Sequence, residues 1–180
     1  MKKIKSINFK LLVFLGLITF FASCTNDMNV SPKDDDDFTS EAFYKDPSSY
    51  KQFLAKIYGG LAVTGQKGPS DAPDIQGIDE GFGQYLRGYW QLQELPTDEA
   101  MVSWGDPTLP ELNNHTWNAD NRFVKAFYAR VFYQVGLSNE FLRATTDDKL
   151  ASRGVSDALK ADIKVYRAEV RFLRALSYYH

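Results

Sequence analysis

The sequence predicts an all-α protein whose helices form antiparallel hairpins joined by long irregular loops. Apolar residues recur three and four positions apart in three stretches, which is the spacing of one helix face. No two alternating apolar stretches are joined by a tight turn, so nothing indicates a β-hairpin. With 180 residues, 44% of them hydrophobic, the chain is long enough for one domain with its own core.

The first apolar stripe predicts a helix that begins at Asp46-Pro47. Asp is a favourable N-cap residue, and Pro suits the first helical position. The stripe consists of Tyr50, Phe53, Leu54, Ile57, Tyr58 and Leu61. Gly59-Gly60 weakens the last turn and is expected to end the helix.

Two irregular regions are predicted after this helix. Residues 64–84 are rich in glycine and proline, so we expect a long loop, and loops of that length are usually functional or disordered. Gly81-x-Gly83 lacks the third glycine of a dinucleotide-binding turn and follows no strand, which argues against such a site. Residues 85–118 are expected to be irregular and rich in aromatic residues, with a short helix or turn at residues 92–95.

The second stripe predicts a long helix from about Asp120 to Ala144. Its broad apolar face combines two parallel rows of residues spaced by four. These rows contain Phe123, Phe127, Val131 and Val135, and Val124, Tyr128 and Phe132. Arg122, Lys125 and Gln134 are expected on the opposite, polar face.

The third stripe predicts a helix that starts near Ser156, after a turn at residues 145–148. Ala161, Ala168 and Ala175 repeat every seven residues, which predicts a side where another helix can approach closely. Arg167, Arg171 and Arg174 lie on a neighbouring face.

An anion site is one interpretation of this arginine row, but a solvated or salt-bridged flank is the commoner role. Residues 176–180 are still apolar and periodic, with no stop signal. We therefore expect the chain to break off inside a helix of a longer protein.

The amino terminus has the pattern of a secretory signal, in which basic residues precede an apolar run and then small residues. The run from Leu11 to Phe21 is shorter than the ~20 residues of a membrane-spanning helix. Cys24, the only cysteine, follows two small residues, as in bacterial lipoprotein signals, although Phe21 stands where leucine is commonest. An ordinary signal peptide with a chance cysteine is the alternative. A lone thiol would be unusual in an exported protein, so we predict a lipoprotein signal peptide at residues 1–23 and lipidation of Cys24.

Residues 24–37 are predicted to be an acidic tether, followed by a helical domain at residues 38–180. The like charges of Asp34 to Asp37 repel one another and favour a solvated spacer. A calcium loop is excluded because the required Gly and Glu are absent in every register. Removal of residues 1–23 takes four lysines and lowers the formal charge from -2 to -6, which disfavours binding to nucleic acid.

The titratable residues do not form a catalytic or metal site. Asp98 and Glu99 are adjacent and point apart on a helix or strand, so they are not a matched acid and base. His115 has no other ligand at metal-binding spacing. No nucleophile is paired with a base, so we expect no enzyme activity, no metal and no cofactor.

The three tryptophans are the candidate ligand-binding residues. Sugar rings bind to flat aromatic faces with a few hydrogen-bonding groups on nearby loops. Trp104, close to Asp106, is the best candidate for such a stacking platform, followed by Trp90 and Trp117. The alternative, which is the commoner role of any one Trp, is that it packs a loop onto the helices.

Several of these segments together resemble the amino-terminal third of the SusD/RagB family of outer-membrane nutrient-binding lipoproteins of Bacteroidetes. The most specific is residues 167–175, Arg-Ala-Glu-Val-Arg-Phe-Leu-Arg-Ala, close to the family's AEARFLRA motif. In order, the segments are Cys24, residues 43–58, residues 94–99, residues 127–142 and residues 167–175.

The resemblance implies an all-α fold of TPR-like helix pairs that support irregular ligand-binding loops. The second and third predicted helices would form the first such pair of an incomplete SusD-like domain. It also implies a lipid-anchored protein of the outer membrane, exposed at the cell surface. Such a protein passes a glycan or other nutrient to a SusC-like TonB-dependent transporter and performs no covalent chemistry.

Two other functions remain open at this point. A lipid-anchored TPR-like adaptor would bind protein rather than sugar, as helical-repeat surfaces often do. An exported hydrolase ranks last, because no catalytic constellation is present.

Overall fold

The structure, a computed structural model, describes residues 39–64 and 75–180. The regular elements in these residues are all helical, so the predicted all-α class is confirmed. They are α1 (Ser40–Phe43), α2 (Ser49–Gly59), a 3-10 turn (Glu80–Gly83), α3 (Tyr85–Glu94), α4 (Pro110–Asn113), α5 (Arg122–Ala144), α6 (Asp147–Ser152) and α7 (Asp157–Tyr179). The predictions for residues 1–23, Cys24 and residues 24–37 lie outside the described residues.

α5 and α7 form an antiparallel hairpin at the centre of the fold. Asn121 caps α5, where its Oδ1 accepts from the Phe123 and Val124 amides. Ser156 caps α7 by accepting from the Leu159 amide. These local side-chain caps explain why both predicted helix starts lie within two residues of the observed ones.

Two arginines of the row on α7 form hydrogen bonds to α5 and the residue that follows it. Arg167 donates to the carbonyl oxygens of Leu142 and Thr145, and Arg174 donates to Asn139 Oδ1. Arg174 comes after Arg167 in α7, and its partner Asn139 comes before Leu142 in α5, as antiparallel packing requires. Arg167 and Arg174 thus contribute hydrogen bonds between the two helices.

α2 packs across the hairpin and closes its core. Leu54 and Ile57 of α2 meet Phe141 of α5 and Val170 and Leu173 of α7 in one buried cluster. A second cluster lies towards α1 and α6, and contains Tyr44, Tyr50, Ala144, Leu150 and Ile163. Tyr50, Leu54 and Ile57 of the predicted stripe therefore enter the core, whereas Tyr58 of that stripe is exposed.

The two ends of α2 compare differently with the prediction. The helix ends at Gly59-Gly60 as expected. It begins at Ser49 rather than at Asp46-Pro47, and the Asp46 carboxylate accepts from the Ser48 amide in the turn that precedes the helix.

Two predictions for the long helices were wrong. Gln134 is buried rather than on the polar face, and its amide donates to the Ile57 carbonyl of α2. The turn predicted at residues 145–148 is shorter than expected, since the helix α6 already begins at Asp147. Ala161, Ala168 and Ala175 are exposed on a side of α7 that no helix within the described residues covers, so the close approach of another helix there stays a prediction.

The region of residues 85–118 is more regular than predicted, since residues 85–94 form a ten-residue helix, α3. Tyr85, Gly88 and Gln91 of α3 are buried. A Cβ at Gly88 would lie 3.0 Å from Phe127 Cδ2, so the glycine lets α3 lie close against α5. Because glycine is a poor helix former, Gly88 made the sequence of this segment less typical of a helix.

Candidate functional site

The three tryptophans all lie between residues 75 and 118, which we call the aromatic region. Trp90 on α3 is 47% exposed, Trp104 in the loop before α4 is 54% exposed, and Trp117 in the loop before α5 is 41% exposed. Among the described residues no ring contact joins two of them. The structure therefore offers separate exposed rings rather than one tryptophan cluster.

Trp104 packs against a pair of phenylalanines, Phe82 and Phe123. Its ring meets Phe82 edge to face, with ring centroids 5.9 Å apart. Phe82 in turn meets Phe123 of α5 at 5.1 Å, again edge to face. Phe82 and Phe123 belong to a buried cluster with Leu95, Leu109 and Leu112. This arrangement fixes one edge of the indole while leaving more than half of the side chain in water.

A guanidinium group lies beside the same ring. Arg87 Cζ is 4.3 Å from the centroid of Phe82 and 5.7 Å from that of Trp104. Arg87 Nη1 also donates to the Gly81 carbonyl at 2.8 Å, which holds the side chain against the 3-10 turn. We call Phe82, Arg87 and Trp104 together the Trp104 platform.

The Trp104 platform combines an accessible aromatic face with fixed hydrogen-bond donors. A guanidinium has five N–H donors and cannot act as an acceptor. Such donors can bind hydroxyl oxygens while a ring face packs against the C–H groups of a sugar. These groups are of the kind that suits recognition of a polyhydroxylated ligand.

Trp90 and Trp117 lack this support. Trp117 contacts His115, with ring centroids 5.6 Å apart. His115 adopts a left-handed backbone conformation with φ 56°, and no group of three or more potential metal ligands occurs in the described residues. His115 therefore accompanies the exposed ring of Trp117.

The adjacent carboxylates Asp98 and Glu99 are exposed at the end of α3. Thr97 lies between them and the helix, since its hydroxyl donates to the Glu94 carbonyl and accepts from the Glu99 amide. Thr97 thus closes the end of α3.

Sequence reasoning identified Trp104 but missed both of its supporting residues. Phe82 was assigned to a loop, and Arg87 to an irregular region. The signal in the sequence was the position of Arg87, four to six residues after the Gly81-Phe82-Gly83 stretch. Arg87 lies at the start of α3, a helix that the sequence did not predict. Without α3, nothing in the sequence places the guanidinium over Phe82.

The fold and surface together define an all-α protein of helix hairpins that carries an exposed aromatic surface. No helix in the described parts of the chain has the length and apolar character needed to cross a membrane. No protein-family model matches the sequence.

The comparison with curated proteins supports the SusD-like family for this chain. The chain is 35% identical over 159 residues, which is 88% of its length, to the starch-binding protein SusD of Bacteroides thetaiotaomicron. The chain spans only about a quarter of that relative, since the match covers 26% of SusD. The family resemblance predicted from the sequence motifs is thereby confirmed.

Proposed function

We propose that the chain binds glycan at the Trp104 platform and is not an enzyme. The observation that carries this proposal is the exposed Trp104 ring, seated on Phe82 with the Arg87 guanidinium 5.7 Å from its centroid. A ring held this way is available to a ligand with little loss of side-chain freedom, which favours affinity.

The comparison with SusD supports the ligand class. That relative is named a starch-binding protein, which denotes binding of a polysaccharide. The ligand of this chain is accordingly proposed to be a glycan, with starch the first to test. Because the match covers 26% of SusD, residues of a full-length relative that have no counterpart here could also contribute to its ligand site.

We further propose that the protein is anchored in the outer membrane through a lipid on Cys24 and faces the cell surface. In this arrangement it would deliver bound oligosaccharide or another nutrient to a SusC-like TonB-dependent transporter. The support is the signal-like pattern of residues 1–23 and the similarity to SusD. Mass spectrometry of the mature protein tests the anchor, because an unmodified Cys24 thiol or a different amino terminus would contradict it.

Affinity electrophoresis tests the glycan proposal. The chain without residues 1–23, and with Cys24 replaced by Ser, is run in native gels that contain soluble starch or other polysaccharides. We expect retardation by at least one polysaccharide and its loss in Trp104→Ala. Removing a stacking ring and its supported face should weaken binding about tenfold or more.

Phe172→Ala is the matched control for this experiment. Phe172 is an aromatic residue of similar exposure, 66%, but it lies on α7 outside the aromatic region. The Phe172→Ala variant should therefore be retarded as strongly as the unsubstituted chain. Equal retardation of the unsubstituted chain and Trp104→Ala in every polysaccharide would contradict the assignment of the Trp104 platform.

The protein-binding adaptor remains a second candidate because of the outer face of α7. Val165, Phe172 and Tyr179 lie on that face and are all exposed. Their spacing of seven residues gives an apolar strip of the kind that packs against another helix. Binding of a protein partner that Phe172→Ser abolishes and Trp104→Ala preserves, with no polysaccharide retardation, would favour the adaptor.

A further inference from the structure

The segment Gly81-Phe82-Gly83 is held by two arginines from different helices. Arg87 of α3 donates to the Gly81 carbonyl at 2.8 Å. Arg130 of α5 donates through Nε to the Gly83 carbonyl at 2.6 Å. The two carbonyls flank Phe82, whose ring supports Trp104.

Arg130 is buried, with 1% of its surface exposed. A buried guanidinium is costly unless hydrogen-bond acceptors replace its water. Besides Gly83, its Nη2 donates to the Thr64 carbonyl at 3.3 Å. Burial of this guanidinium favours keeping the main chain of Gly83 in place, because displacement of Gly83 would remove the acceptor of Arg130 Nε.

The two glycines suit this arrangement. A Cβ at Gly81 would lie 3.1 Å from Arg87 Nη1 and 3.3 Å from Asp79 Oδ1. A Cβ at Gly83 would be 3.6 Å from Arg130 Nη2, which is ordinary contact. Gly81 therefore gives Arg87 room to reach its carbonyl. Of the Gly-x-Gly pattern, which is unsuited to a dinucleotide, Gly81 thus has a role in holding this turn.

We propose that Arg130 is a positioning residue for ligand binding at the Trp104 platform, acting through Gly83 and Phe82. This inference rests on the proposed glycan-binding function. Phe123 and Arg130 lie two turns apart on one face of α5, so they hold the 3-10 turn at two points, by ring packing and by hydrogen bonding. The orientation of Trp104 then depends on a buried side chain that no ligand touches.

Gln134 provides a matched control on the same helix. It is fully buried one turn after Arg130, and its amide also donates to a main-chain carbonyl, that of Ile57. Ile57 belongs to α2 rather than to the 3-10 turn. Arg130→Met and Gln134→Met each remove a buried polar group from α5, but only the first releases the turn.

The first measurement needs no ligand. The chain has three tryptophans, so its ¹H–¹⁵N spectrum contains three indole N–H signals, and Trp104→Phe assigns the one from Trp104. We expect Arg130→Met to shift or broaden the Trp104 signal and to leave that of Trp117 in place. Gln134→Met should leave the Trp104 signal unchanged.

The second measurement is retardation in soluble starch at a temperature where circular dichroism shows each variant to be folded. Arg130→Met should bind about tenfold more weakly, consistent with losing a hydrogen bond from a charged group. Arg130→Lys keeps the charge with fewer donors and should be intermediate. If Arg130→Met does not fold, Arg130→Lys decides the question through both measurements.

An unchanged Trp104 signal in a folded Arg130 variant would overturn the positioning role. An equal change in Gln134→Met would do so too, since the effect would then be general loosening. If the Trp104 signal moves but no polysaccharide retards the unsubstituted chain, the glycan proposal fails while the link between Arg130 and Trp104 stands.

Discussion

The hairpin core and the aromatic region are held together in different ways. The hairpin core, formed by α2, α5 and α7, consists of long helices whose apolar faces meet in buried clusters. The aromatic region has shorter elements, and in addition to its own buried cluster its chain is fixed by side chains that donate to main-chain carbonyls. Asn113 Nδ2 donates to the carbonyls of Leu95 and Ala100, and Arg122 donates to that of Gly77.

This difference shows how an irregular segment can become a binding surface. Carbonyls outside helices need partners when they are buried, and amide or guanidinium groups can supply them. Such bonds fix the chain without covering it with apolar residues. Trp104 can then stay exposed on a main chain that is nevertheless held in place.

The largest effect should come from Phe141→Ala in the hairpin core. Phe141 is fully buried, so its truncation leaves a cavity and should lower the free energy of unfolding by about 3–5 kcal/mol. Urea unfolding is followed by far-UV circular dichroism for the helices and by tryptophan fluorescence for the aromatic region. Both transitions should shift together, because α3 packs on α5.

Phe172→Ala is the control, since this exposed residue should change stability by no more than about 0.5 kcal/mol. A fluorescence transition that stays in place while the circular dichroism transition shifts would contradict the expectation that the two regions unfold together. The aromatic region would then unfold as a separate unit.

A smaller effect is expected from two adjacent glycines at the end of α2. A Cβ at Gly60 would clash with the buried Gln134 side chain, whose Oε1 would lie 2.4 Å away, whereas a Cβ at Gly59 meets nothing within 4 Å. Gly60→Ala should therefore destabilise by about 1–3 kcal/mol, as overpacking does. Gly59→Ala should be neutral or stabilise by up to about 1 kcal/mol.

Thermal unfolding of the two variants measures this difference. Equal effects at the two positions would mean that Gln134 can move away from the new methyl group. The inference that a buried amide holds α2 on α5 would then be wrong.

The hairpin core was predictable because its signals are local. The stripes of α2, α5 and α7 and the caps at Asn121 and Ser156 depend on residues near one another in sequence. The all-α class followed from them. The burial of Arg130 and Gln134 did not, because a polar residue becomes buried only through partners from distant segments, here Gly83 and Ile57.

The aromatic region was less predictable for the same reason. Trp104 could be named as a candidate from its residue type alone, but its exposure depends on Phe82 and on a fold that brings α3 beside the 3-10 turn. Gly88 allows α3 to pack closely against Phe127. A helix-propensity scale does not include this packing and counts the glycine only as unfavourable. Contacts of this kind become visible only in the folded chain.

The smallest effect should come from Glu41 of α1, at the end of the hairpin core near α6. The Glu41 carboxylate accepts from Arg153 at 2.9 Å and from Lys149 at 3.1 Å. These hydrogen bonds, chiefly those from Arg153, lower the pKa of Glu41 from 4.5 to about 2. Because folding depresses this pKa, the contribution to stability is present above pH 4.5 and is lost as the pH falls towards 2.

Comparison of the unsubstituted chain with Glu41→Gln isolates this group from other titrating carboxylates. Glu41 is exposed, so solvent screening should keep the difference in unfolding free energy below about 1 kcal/mol at pH 6. The difference should shrink between pH 4.5 and pH 2, the range between the ordinary and the lowered pKa. A constant difference from pH 6 to pH 2 would show that Glu41 acts through packing rather than charge. Retardation by polysaccharide at pH 6 should be equal in both proteins, since α1 contributes no residue to the Trp104 platform.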